Sequence, residues 1–88
     1  MVDVVPLGSI EHPEVTHRLN VLGFHCPIPV AETKKALKNL TSGDVLEVWA
    51  DDVETVHDMP MLLERLAHRL TSIEEQAGEY RFIIEVMG

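Results

Sequence analysis

The sequence predicts an α/β fold of the α+β kind. It should be a two-layer sandwich in the order β-α-β-α-β-β, with a four-stranded mixed sheet and both helices on one face. Three observations predict it. Val45 to Ala50 and Tyr80 to Val86 alternate their side chains with the two-residue period of strands. Segments around residues 27–40 and 51–70 carry apolar residues at helical spacing, each opened by a helix-start signal. The succession of strand, helix and strand through residues 18–50 fits a right-handed parallel crossover.

Each element has a local reason. Residues 1–16 place Pro6, Gly8 and Pro13 between short apolar pieces, which reads as an extended N-terminal arm or a loosely attached extra strand. Arg18 to Leu22 alternates, with Leu19 and Val21 on one side and Arg18 and Asn20 on the other. Gly23 then permits a sharp change of direction. The first helix is predicted over Pro27 to Leu40. Pro27 suits the first helical position because its φ is already helical and an N–H there would lack a partner. Val30, Thr33, Ala36, Leu37 and Leu40 form its inner face. Thr41-Ser42-Gly43-Asp44 ends it and turns the chain.

In the next strand Leu46, Val48 and Ala50 share one face, and Val45, Glu47 and Trp49 the other. Trp49 is expected on the sheet face away from the helices, where an uncovered apolar patch could bind a partner or the arm. Asp51, Asp52 and Glu54 load the start of the second helix with negative charge, and Asp51 with Glu54 has capping-box spacing. Pro60 is expected to restart or kink that segment, with Leu63, Leu66, Ala67 and Leu70 as its apolar stripe. Thr71 to Ala77 reads as a polar edge strand, and Gly78-Glu79 as the turn into the last strand.

Composition bounds the function. Eighty-eight residues fit one small domain with little room for a deep substrate pocket. The net charge of −8 argues against a nucleic-acid backbone as direct partner and favours proteins with basic docking surfaces. No apolar run approaches a membrane span, and the N-terminus carries no basic, then apolar, secretion signal. A single cysteine rules out an internal disulfide and fits a reducing compartment, so a cytoplasmic protein is expected.

That cysteine carries the chemistry. Cys26 stands in Cys26-Pro27-Ile28-Pro29, where a strand gives way to a helix. The thiolate, not the thiol, is the nucleophile, and a helix N-terminus stabilises an anion. A lowered thiol pKa is therefore expected. The N–H groups of Ile28 and Val30 are the candidate donors to the sulfur, since Pro27 and Pro29 have none; the two rings should hold the sulfur at a fixed, exposed spot. The bland alternative is a small buried hydrophobe, because free cysteines are among the most buried residues.

The remaining candidates have simpler readings beside them. His25 can hydrogen-bond or charge-stabilise the sulfur, or be an unrelated exposed histidine. His12, His17, His57 and His68 show no metal-ligand spacing, and neither a metal nor a cofactor is expected. Lys34, Lys35 and Lys38 suit a solvated helix end, and Asp51, Asp52, Glu54 and Asp58 suit helix initiation. Met59, Met61 and Met87 suit core or rim packing.

The run His17-Arg18-Leu19-Asn20-Val21-Leu22-Gly23-Phe24-His25-Cys26-Pro27-Ile28-Pro29-Val30 resembles the TusA/SirA-like sulfur-carrier family. The resemblance continues through Ser42-Gly43-Asp44, the strand Val45–Ala50, and Ala50-Asp51-Asp52 followed by Asp58-Met59-Pro60. It covers about residues 17–87, which sets a carrier domain at 17–88 apart from the arm at 1–16. It implies a two-layer α/β sandwich and a persulfide carried on Cys26, with Pro27, Ile28, Pro29, Val30 and His25 in support. It also implies a sulfur-donor protein, a cysteine desulfurase or a rhodanese-like protein, and an acceptor protein with its own cysteine. The destinations it implies are transfer-RNA thiolation or sulfur metabolism and oxidation. Asn20 departs from the acidic residue usual there, and Ile28 makes the surface more apolar. A sulfur-transfer relay rather than a turnover enzyme is expected; the alternative is a non-carrier regulatory or redox-sensing module.

Overall fold

The computed structural model describes residues 4–6 and 15–87. Seven elements follow one another: β1 (Val4–Pro6), β2 (His17–Asn20), α1 (Ile28–Leu37), β3 (Val45–Ala50), α2 (Glu54–Leu66), β4 (Arg69–Gln76) and β5 (Glu79–Glu85). The sheet has five strands in the order β1-β2-β3-β5-β4, not the four expected. The extra one is β1, which pairs antiparallel with β2, Val4 opposite Leu19. Of the two readings of residues 1–16, arm or loosely attached extra strand, the second describes Val4–Pro6, although three residues ending in a proline carry too little alternation to decide it from sequence. Gly8, His12 and Pro13 lie outside the described residues.

The β2–α1–β3 unit is parallel, with Leu19 opposite Val48 and Asn20 opposite Trp49. β5 then inserts antiparallel beside β3, and β4 closes the far edge. The alternation read from the sequence sets the faces. Leu19, Leu46, Val48, Ala50, Phe82 and Ile84 are wholly buried on one side, where Ala36 and Leu37 of α1 and Met59, Leu62 and Leu63 of α2 meet them in one core. Burying each large apolar side chain contributes about 1.5–3 kcal/mol.

The expected second-helix stripe ran too far. The helix stops at Leu66, Ala67 takes a left-handed conformation (φ 62°), and Leu70 belongs to β4. The Ala67 N–H donates to Glu64 and the His68 N–H to Leu63, a bonding pattern that closes the last turn. An alanine there gives no sequence cue, since glycine is the usual residue. Pro60 lies inside α2 without ending it. Ala77 and Gly78, both at positive φ, make the tight β4–β5 turn.

The outer face of the sheet is polar but not loose. Glu47 is wholly buried there, and its two carboxylate oxygens take the Arg18 and Arg81 guanidinium groups, the former at 2.6 Å. Burial alone would push its pKa up; the hydrogen bonds from Arg18 and Arg81 outweigh that and hold it below the ordinary carboxylate value. Arg81 reaches on to Glu74 at 3.1 Å. Trp49 shares this face, half-buried beside Arg81.

Candidate functional site

Two parallel strands, β2 and β3, end side by side, so the segments that leave their carboxyl ends are neighbours. One is residues 21–27, which carries Cys26. The other is residues 51–53, which leads into α2. The first turns at once: the Leu22 N–H donates to Asn20 Oδ1 at 2.9 Å, and Gly23 adopts φ 86°, a region that favours glycine. Asn20, the departure from the acidic residue usual there, thus shapes the turn after its own strand.

The acidic segment grips that turn. The Gly23 N–H donates to Asp51 at 3.0 Å and the Cys26 N–H to Asp52 Oδ2 at 2.7 Å. The other Asp52 oxygen accepts the Glu54 N–H at 3.0 Å, so one carboxylate ties the start of α2 to the backbone of the cysteine. These bonds, from Cys26 first and then Glu54, hold the Asp52 pKa below the ordinary value. Helix initiation was the expected role of these acids, and Asp52, rather than Asp51, performs it. Their second role, clamping the cysteine turn, depends on strand pairing and could not be read locally.

Cys26 is a free, exposed thiol. Pro27 occupies the N-cap of α1, Ile28 is the first helical residue and Pro29 the second, one position later than expected. Pro27 takes φ −96° and ψ 13° and supplies the first helical acceptor, its carbonyl, to the Ala31 N–H. The Ile28 N–H, one of the two donors expected for the sulfur, goes to the His25 carbonyl instead. Pro29 is buried and its carbonyl accepts the Thr33 hydroxyl at 2.8 Å; Ile28 and Val30 are half-buried. His25 is exposed and acts electrostatically on Asp52; it makes no hydrogen bond to the sulfur.

The sulfur's own hydrogen bond runs to Asp58 on α2, Sγ to Oδ2 at 3.7 Å. This overturns the expected lowered pKa. The thiol is pushed up from its ordinary value, first by desolvation, then by the Asp58 hydrogen bond and charge, and by the charges of Asp52 and Glu54. The helix-start argument was local; desolvation, together with three carboxylates that lie 26–32 residues further along the chain, outweighs it. Asp58 also forms part of a groove of about 270 Å³ beside the cysteine, with Pro27, Val30, Met61, Leu62 and Arg65. Phe24, Val53 and Met61 are large apolar side chains left exposed on the cysteine segment and on α2 and its approach. Met59 is core and Met87 exposed. Lys34, Lys35 and Lys38 are exposed near the C-terminal end of α1. No group of three or more potential ligands is placed to hold a metal among the described residues.

The family model of the sulfurtransferase TusA matches residues 17–86. The chain belongs to the TusA family. Its relatives point the same way. A Thermotoga maritima protein described as a "Putative sulfur carrier protein" is 39% identical over 74 residues, which cover 83% of this chain and 94% of that protein. The crystal structure of a SirA-like protein from Desulfitobacterium hafniense superposes with a TM-score of 0.71 at 28% identity, covering 81% of this chain and 97% of the other. The structural likeness agrees with the sandwich built above, and the family match begins at β2 and leaves β1 outside it.

Proposed function

We propose that this TusA-family protein carries sulfane sulfur as a persulfide on Cys26 and relays it between proteins. The observation that carries the reading is the placement of the chain's sole thiol: exposed, on a turn fastened by Asp51 and Asp52, next to a groove lined by its neighbour Pro27 and its hydrogen-bond partner Asp58. Such a site offers a sulfur atom to another protein and encloses nothing.

In the loading step the Cys26 thiolate attacks the outer sulfur of a donor persulfide. The Cys26 Sγ–S bond forms, the donor's S–S bond breaks, and the donor leaves as a thiolate that takes up a proton. In the unloading step an acceptor thiolate attacks the outer sulfur on Cys26. The sulfur moves with its electron count unchanged, Cys26 Sγ leaves and is reprotonated, and no external oxidant or reductant enters. The donor is a cysteine desulfurase or a rhodanese-like protein; the acceptor is a protein with its own reactive cysteine, serving transfer-RNA thiolation or sulfur metabolism. The relay works in the cytoplasm without contact to nucleic acid or membrane. Residues 17–88 form the carrier domain and residues 1–16 an arm whose β1 borders the sheet.

The test is intact mass after incubation with a small-molecule persulfide. A gain of one sulfur atom that reductant removes, and that Cys26→Ser abolishes, is expected. Absence of any gain on the wild-type protein, with Cys26 still open to alkylation, overturns the carrier reading.

A further inference from the structure

We infer that Asp58 is a positioning residue that holds the resting Cys26 sulfur in its protonated form and so sets when that sulfur becomes a nucleophile. The inference rests on the carrier reading for its purpose, but not for its geometry. Oδ2 of Asp58 lies 3.7 Å from Cys26 Sγ. A carboxylate only accepts, so this contact is a bond while the sulfur keeps its proton and a repulsion once the proton has gone.

The arrangement is held from behind. Asp58 sits on α2 next to Met59, which is wholly buried, and one turn before Leu62, which is nearly so. Anchoring of the helix by these side chains fixes where the carboxylate stands. The sulfur is fixed separately by the Asp52 clamp on its own backbone N–H. Apolar groove walls from Pro27, Val30, Met61 and Leu62 displace water on one side of the pair, which strengthens the interaction.

The other charged groups around the sulfur act in the same sense or stand off. Asp52 and Glu54 add negative charge. His25 acts on Asp52, and Arg65 borders the groove without an ion pair to Asp58 among the described residues. Resting Cys26 is therefore a latent nucleophile. A sulfur donor meets a thiol that must surrender its proton in the encounter, which limits loading by stray oxidants or electrophiles.

The experiment is the pH profile of Cys26 alkylation by iodoacetamide in the wild-type protein, Asp58→Asn and Glu54→Gln. Asp58→Asn is expected to move the midpoint to lower pH and to raise the rate at pH 7 by about threefold or more. Glu54→Gln, which acts through charge alone, is expected to give a smaller move in the same direction. A folded Asp58→Asn protein with an unchanged or higher midpoint overturns the inference. The wild-type protein supplies an arm that needs no variant: about 0.5 M sodium chloride should lower the midpoint by screening exposed charge. A midpoint that rises with salt also overturns it. Alkylation involves no persulfide, so failure here is distinct from failure of the sulfur-loading test, which reads mass gain on the wild-type protein.

Discussion

Two sets of carboxylates in this small protein meet opposite treatment. Glu47, on the outer face of the sheet, is wholly buried and each of its oxygens takes an arginine. Asp51, Asp52, Glu54 and Asp58, at the cysteine end, form no ion pair among the described residues; Asp51, Asp52 and Asp58 hold backbone N–H groups and a thiol, and Glu54 adds its charge. The first set is neutralised, so it serves the sheet. The second is left negative beside the Cys26 sulfur, so its field falls on that thiol. The difference teaches that a charge's partner, more than its burial, decides whether it holds the fold together or tunes a site.

Substitutions can break this division. The largest expected effect is at the neutralised set. Glu47→Ala removes the acceptor shared by Arg18 and Arg81 and leaves both guanidinium groups facing a void. A loss of about 2 kcal/mol in urea unfolding is expected, less than for a fully buried pair because both arginines keep some solvent. The Cys26 alkylation profile should not change. A shift of that profile would show that the two regions are coupled.

Asp52→Ala should come next, with a smaller loss in the same urea unfolding, since it removes the acceptor of the Glu54 N–H at the start of α2. Unlike Glu47→Ala, it should also speed alkylation of Cys26, because it removes one of the charges that keep the thiol protonated. Unfolding and alkylation on one sample would check both.

Acid should expose the same clamp more gently. The Asp52 pKa is depressed in the folded state, so its contribution is fully present above the ordinary carboxylate value and is lost as pH falls through the lower, folded value. Hydrogen exchange at the Cys26 and Glu54 amides should lose protection in that window, after allowance for the intrinsic rate. Protection that persists below it would mean the clamp does not depend on charge. The smallest effect is expected at Arg69→Ala. Its 3.9 Å pair with Glu85 is exposed, and the cost should be below about 0.5 kcal/mol by thermal unfolding.

The same contrast explains what could be read before the structure. β3 and β5 were legible because each buries one face, which forces strict alternation at Leu46, Val48 and Ala50 and at Phe82 and Ile84. The start of α1 was legible from the Pro27–Pro29 run, to within one residue; its end was not, since the helix stops at Leu37 and not at Leu40. The end of α2 was not, because Ala67 adopts a conformation that its identity does not advertise. β1 was too short to show a period. At the candidate site, Cys26 and its exposure followed from the sequence, and the surrounding field did not. Asp52 and Asp58 sit 26 and 32 residues away, and only the parallel pairing of β2 with β3 brings the start of α2 to the thiol. A local argument from one helix end therefore gave the wrong sign.

The borders of the sheet carry a consequence of their own. On one side β1 covers β2 and ends in Pro6, which has no N–H to offer a newcomer. On the other, β4 presents Arg69, Glu74 and Glu75, and its pairing is interrupted between Leu70 and Ser72. Charge, irregular register and a missing donor all discourage a foreign strand from adding on. A sheet bordered in this way is kept from sticking to other proteins, or to its own copies, by its edges.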